Sequence, residues 1–331
     1  MMTRILSFAA FTALAATACT TVPPSPPAEA PLTSLYDYRI VDPNSGQAMA
    51  LPQLASALQN ADVVFIGELH GHNGAHLLQA RLQQALYQQQ PLQVLAMEQF
   101  TVEHQRTLDR YLAGKLGEAE MIEDADAWDN YRASYRPLVD FALAHDLPVI
   151  AGNAPAQLVR CVGRQGPDYL TRAPKDLQAL LPGDPFYGTA PYREKFLATL
   201  TDHQHGPGDP ERLENSYRAQ LLRDNTMASR IVQALADHPG AQVVHTNGTF
   251  HSEHRLGTVA ALKARAPELT VRVISPVVTD VPAEHVSQDD REKGDYLYYL
   301  RPLQEDYLDR DRELQAMMKR FRQASENNCE T

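Results

Sequence analysis

Several common architectures are excluded by what this sequence lacks. Its 331 residues hold three cysteines, and none stands in a Cys-x-x-Cys pair, so neither a disulfide scaffold nor a cysteine-rich zinc site is available. Lysine and arginine (30) are outnumbered by aspartate and glutamate (41), and no basic run occurs. A phosphate backbone needs a basic surface, so a nucleic-acid partner is excluded. Long hydrophobic runs are missing too. The only apolar stretch of note, Ile5 to Ala16, is 12 residues long and too short to span a bilayer as a helix. No Gly-x-Ser-x-Gly elbow, Walker loop or dinucleotide fingerprint is present.

What is present begins with an export signature. Arg4 supplies a positive n-region, the apolar stretch follows, and Ala16-Thr17-Ala18-Cys19 ends it in small residues before a cysteine. This resembles a bacterial lipobox, with residues 1–18 as signal peptide and Cys19 as the lipid-bearing first residue. A plain secretory signal cleaved after Ala18 is the alternative. Thr20 in place of aspartate implies the outer membrane, with the domain facing the periplasm. Residues 19–33 form a spacer in which five prolines fall between Pro23 and Pro31, favouring extended chain. In an oxidising compartment, Cys161 and Cys329 become candidates for a disulfide.

From 34 to 331 the pattern is that of one α/β domain. Short apolar runs at 61–66, 93–97, 147–151, 242–245 and 270–274 read as strands covered on both faces. Helical patterns at 74–89, 132–146, 211–238 and 256–266 alternate with them. The expectation is a mostly parallel central sheet flanked by helices. The stretches 101–146 and 153–240 exceed what simple crossovers need and read as helical cap insertions, with joints at Gly183-Asp184-Pro185, Gly188 and the 203–210 run.

Ligands in such sheets bind beyond the carboxyl ends of strands. Those ends carry Gly67-Glu68-Leu69-His70, then Glu98, then Asn153, then Gly248-Thr249-Phe250-His251. Two imidazoles and two carboxylates at one rim can hold a cation or trade protons near neutral pH. Capping of helix N-termini is the structural alternative for any one of them. His72 and His76 are spaced to share a helix face and could bind a metal, or merely line a rim. His203 and His205 read as surface groups, or at best mobile contacts to a ligand.

The two Gly-x-x-His motifs with an intervening Glu98 resemble the superfamily that includes erythromycin-esterase-like and Tiki/TraB proteins. Tyr135-Arg136-Pro137-Leu138, Asn153-Ala154-Pro155 and the helical stretch Ala219 to Ala228 are closer to the ChaN-like haem-binding lipoproteins. That resemblance covers roughly 55–275 and implies a lipid-anchored protein of bacterial haem and iron acquisition, with haem at a homodimer interface. It also implies a tyrosine as ligand to the iron, since tyrosinate suits ferric iron. Tyr135 ranks first, with Tyr131 and Tyr217 behind it, and Arg132 and Arg136 are placed to meet the propionates. The competing reading is a hydrolase in which Glu68, His70, Glu98 and His251 activate water or hold a divalent metal.

Overall fold

The computed structural model describes residues 31–202, 209–279, 286–325 and Cys329. The signal sequence, Cys19, the proline spacer up to residue 30, His203 and His205 lie outside the described residues. One eight-stranded sheet forms the centre: β1 (Tyr38–Val41), β2 (Ala48–Met49), β3 (Val63–Glu68), β4 (Gln93–Thr101), β5 (Val149–Asn153), β6 (Gln242–Gly248), β7 (Val271–Val278) and β8 (Tyr296–Leu300). Their order is β2-β1-β8-β7-β3-β6-β4-β5. The α/β expectation holds, but the sheet is mixed. Pairings from β8 through β5 are parallel, whereas β1 pairs antiparallel with both β8 and β2. A short hairpin and β8, the apolar run Tyr296–Leu300 from the far C-terminal part, extend one edge.

The helices are α1 (Leu51–Leu58), α2 (Asn73–Gln89), α3 (Gln105–Leu112), α4 (Glu118–Asp124), α5 (Arg136–Ala144), α6 (Ala156–Gln165), α7 (Lys175–Gln178), α8 (Ala190–Asp202), α9 (Pro210–Asp237), α10 (Gly257–Arg265), α11 (Gln288–Glu292) and α12 (Arg310–Ser325). None is long and apolar enough to cross a membrane. Strand alternation divides the core. Val64, Ile66, Leu95 and Met97 face α1, α2 and α5, whereas Val63, Phe65, Val94 and Ala96 face α9 and α10. Burial on both faces explains why β3 and β4 read as continuous apolar runs. Between β5 and β6, α6 packs along α9 through Leu158, Val159, Val162, Ala219 and Leu222. Cys161 of that layer is joined to Cys329, with Cα atoms 5.6 Å apart.

One topological step positions everything that follows. β6 is made long after β4, yet it inserts between β3 and β4. Glu68 therefore pairs in register with Gly248, and Met97 with Thr246, so three strand ends meet side by side.

Candidate haem-binding site

The rim gathers Glu68, His70, Glu98 and His251, as the strand ends suggested. Glu68, the last residue of β3, is buried. Its Oε1 receives His70 Nδ1 at 2.7 Å, the Tyr135 hydroxyl at 2.8 Å and Gln99 Nε2 at 3.2 Å. Its Oε2 lies 3.3 Å from His76 Nδ1 but has no hydrogen-bond partner. Burial opposes the charge on Glu68, yet the hydrogen bond from His70 and the nearness of His76 overcome it and hold the carboxyl well below its ordinary range. Glu68 thus stays an anion inside the protein.

A second carboxylate–imidazole pair stands beside it. Glu98 Oε2 accepts the N–H of Gly248 at 2.6 Å, and Oε1 lies 3.3 Å from His251 Nε2. The other ring nitrogen of His251 donates to Asp224 Oδ1 at 2.7 Å. Asp224 is held in turn by Thr258 and Tyr192, each hydroxyl 2.8 Å away. Burial disfavours the charge on His251, but the fields of Glu98 and Asp224 dominate and raise its pKa to about 10. Burial likewise opposes the charge on Glu98, but His251 lowers that carboxyl to about 2. His251 is therefore an imidazolium clamped between two anions at neutral pH.

His70 differs from the others in being accessible. Its side chain is 47% exposed, and Trp128 packs edge-on with ring centroids 5.0 Å apart. Burial works against its charge, but the bond to Glu68 and the field of Glu98 hold its pKa above the ordinary value. Its far edge rests over the bare backbone of Gly248, where a Cβ would lie 2.7 Å from Nε2. That contact explains the glycine of the second Gly-x-x-His motif. The first, Gly67, is crowded by Thr249, 3.1 Å from where its Cβ would stand.

His70 and His251 border an open cavity of about 400 Å³ whose walls are mainly Leu69, Phe196, Leu200 and Phe250. Its size falls in the range of small-ligand sites. The family described as haem-binding uptake, Tiki superfamily, ChaN matches residues 54–262, which contain every group just placed. This chain belongs to that family. Its fold is similar to ChaN of Campylobacter jejuni, solved with cofacial haem, at 16% identity and a TM-score of 0.62 over 80% of this chain and 98% of that one. An erythromycin esterase is also similar, at 14% identity and a TM-score of 0.45 over 73% of this chain and 77% of that one. A curated relative, Protein RETICULATA-RELATED 5, chloroplastic, of Arabidopsis thaliana, is 25% identical over 226 residues. That match spans 65% of this chain but 30% of the relative's length.

In this member of the ChaN family the nominated tyrosines face inward. Tyr135 is fully buried and donates to Glu68, and burial together with that anion pushes its pKa far up. Tyr131 is buried with its hydroxyl unpartnered, again with a raised pKa from burial, and packs on Phe100. Tyr217 is buried near Thr189, its hydroxyl 3.4 Å from that carbonyl oxygen. A phenol must ionise to bind ferric iron, which burial disfavours at all three, and none of them lines the cavity beside His70. Arg132 and Arg136 are also spoken for. Both bind Glu118, Arg136 through two nitrogens at 2.5 and 2.7 Å, and neither lines the cavity beside His70.

The remaining expectations resolve simply. His72 caps α2 by accepting the N–H of Gly74 and bonds the carbonyl of Arg301, so it is a structural group. His76 accepts from Gly71 through Nε2, leaving no paired face for a metal. Among the described residues, no group of three or more His, Cys, Asp or Glu is arranged to hold a metal ion. Asn153 accepts the N–H of Ala154 at the far side of β4 and does not line the cavity. Sequence reading missed Asp224, Tyr192, Gln99 and Gln220. The signal for Asp224 was an acid among Leu221, Leu222 and Ala228, on what is otherwise the buried face of α9.

Proposed function

We propose that this protein is a lipid-anchored haem-binding protein of bacterial haem acquisition, with the porphyrin seated at the apolar cavity beside His70. The observation that carries the reading is His70 itself. It is a half-exposed imidazole at an apolar cavity, with Nδ1 tied to a buried carboxylate and its second nitrogen uncommitted. Carboxylate–imidazole pairing of this kind orients a histidine and raises its basicity toward iron. Leu69, Phe196, Leu200 and Phe250 would cover the ring. Family membership and the ChaN-like fold support the same ligand. The export motif ending at Cys19 supports the anchor and an outer-membrane position facing the periplasm. A homodimer closing the open side of the cavity is part of the proposal.

The hydrolase alternative is not favoured. A histidine serving as general base must be unprotonated, whereas His251 is held as the imidazolium by Glu98 and Asp224, with a pKa of about 10. The test is a titration of the purified mature chain with ferric haem, followed by absorption. A shifted, saturable spectrum that His70→Ala changes and Tyr135→Phe leaves intact is the expected result. Free-haem absorption throughout would overturn haem binding, and loss of the spectrum in Tyr135→Phe alone would restore the phenol as ligand. Lipid-precursor labelling that persists in Cys19→Ala would remove the anchor.

A further inference from the structure

A second and larger cleft, about 600 Å³, opens between α6 and α9. Its charged lining is Arg160 and Arg164 from α6, Arg212 and Arg223 from α9, and the acids Asp209 and Glu211. Asp209 Oδ1 accepts the N–H of Glu211 as the cap of α9, so it is turned to its own helix. Arg160 Nε is buried without a hydrogen-bond partner. Elsewhere Arg132, Arg136, Arg193, Arg218 and Arg255 each stand against a carboxylate within 4 Å, but among the described residues Arg160, Arg212 and Arg223 stand in no such pair. Guanidinium groups from facing helices repel, and the arrangement is completed by an anion that takes their forked donors.

Place and chemistry identify the anion. The cleft and the apolar cavity share Phe196 and Gln220 as a common wall, and Gln220 reaches toward His251 at 3.3 Å. Adjacent spaces that share Phe196 and Gln220, one apolar and one lined by arginines, suit an amphipathic ligand with a flat apolar body and carboxylates at one edge. We propose that the arginine-lined cleft between α6 and α9 receives the carboxylates of the ligand whose ring system occupies the cavity beside His70. The proposal rests on the haem reading and adds the carboxylate-binding residues that Arg132 and Arg136 do not supply.

Ferric haem and its dimethyl ester, which lacks both carboxylate charges, separate the two ideas when titrated in the same detergent into the full mature chain. The wild-type chain should bind the ester about tenfold or more weakly, as expected for lost charge-assisted hydrogen bonds. Added salt should weaken haem but not the ester. Arg212→Gln/Arg223→Gln, both on accessible parts of α9, should lose affinity for haem by the same factor and no longer distinguish the two ligands. Equal wild-type affinity for haem and ester, or discrimination that survives in the double variant, would overturn the carboxylate site while leaving haem binding intact. Failure of the wild-type chain to bind either ligand would sink both. The wild-type comparison needs no substitution, so a misfolded variant does not rescue the proposal.

Discussion

Asp224 is the most informative residue to remove, because three donors converge on its carboxylate inside the protein. Oδ1 receives His251 and Thr258, and Oδ2 receives Tyr192, all within 2.8 Å. Breaking a buried ion pair by deleting one partner costs about 3–5 kcal/mol. Each hydroxyl left without its acceptor adds about 1–3 kcal/mol, though members of one network do not sum fully. Asp224→Ala should therefore lose about 4–6 kcal/mol, a large share of the roughly 5–15 kcal/mol that holds a domain folded. Asp224→Asn keeps volume and one acceptor, and should lose about half as much. The pH dependence supplies a second reading. His251 is raised from 6.5 to about 10 by Glu98 and Asp224, with His70 and His245 also facing this cluster. A raised folded pKa stabilises fully below 6.5 and loses that contribution as pH climbs toward 10. The slope approaches about 1.4 kcal/mol per pH unit for one proton. Urea unfolding between pH 6 and 10 should show this decline in the wild-type chain and a shallower one in Asp224→Asn. Equal stability at pH 7, or identical alkaline slopes, would refute the clamped imidazolium.

Three further outcomes follow from the same geometry. Glu98 is lowered to about 2, so its contribution is present above pH 4.5 and should fade as pH drops from there toward 2; an acid titration of stability that is unchanged in Glu98→Gln would contradict this. The Cys161–Cys329 bridge closes a loop of 168 residues, for which chain entropy predicts about 5 kcal/mol, so Cys329→Ser or a reductant should lower the unfolding midpoint, and an unmoved midpoint would exclude the bridge. Gly248→Ala puts a Cβ 2.7 Å from His70 Nε2 and should displace that ring from Glu68, altering the haem spectrum more than the melting temperature; an unaltered spectrum would free His70 of its assigned role.

The rim was legible in the sequence because of a local regularity. A strand buried on both faces reads as a short apolar run, and the first polar residue after it must stand at the carboxyl edge. Glu68 and Glu98 are found by that reasoning alone, before the order of the strands is known, whereas His251 comes from the Gly-x-x-His spacing in the loop after β6. The direction of side chains on helices was not legible in the same way. Tyr135 ends a π-helical turn from Tyr131 to Tyr135, a departure from the 3.6-residue period, and its phenol reaches Glu68. Arg132 and Arg136 flank it in sequence but meet Glu118, which belongs to a different helix.

Local chemistry thus encoded the strands, the sharp glycine turns and the acids and imidazoles at their ends, since those depend on burial and backbone freedom over a few residues. Folding in three dimensions settled the partnerships. β6 slips between β3 and β4, α9 brings Asp224 to His251, and β8 joins the sheet from near the C-terminus. A hydrogen bond spanning 67 residues, such as Tyr135 to Glu68, leaves no trace in local periodicity, because its energy depends on distance in space and not on separation along the chain.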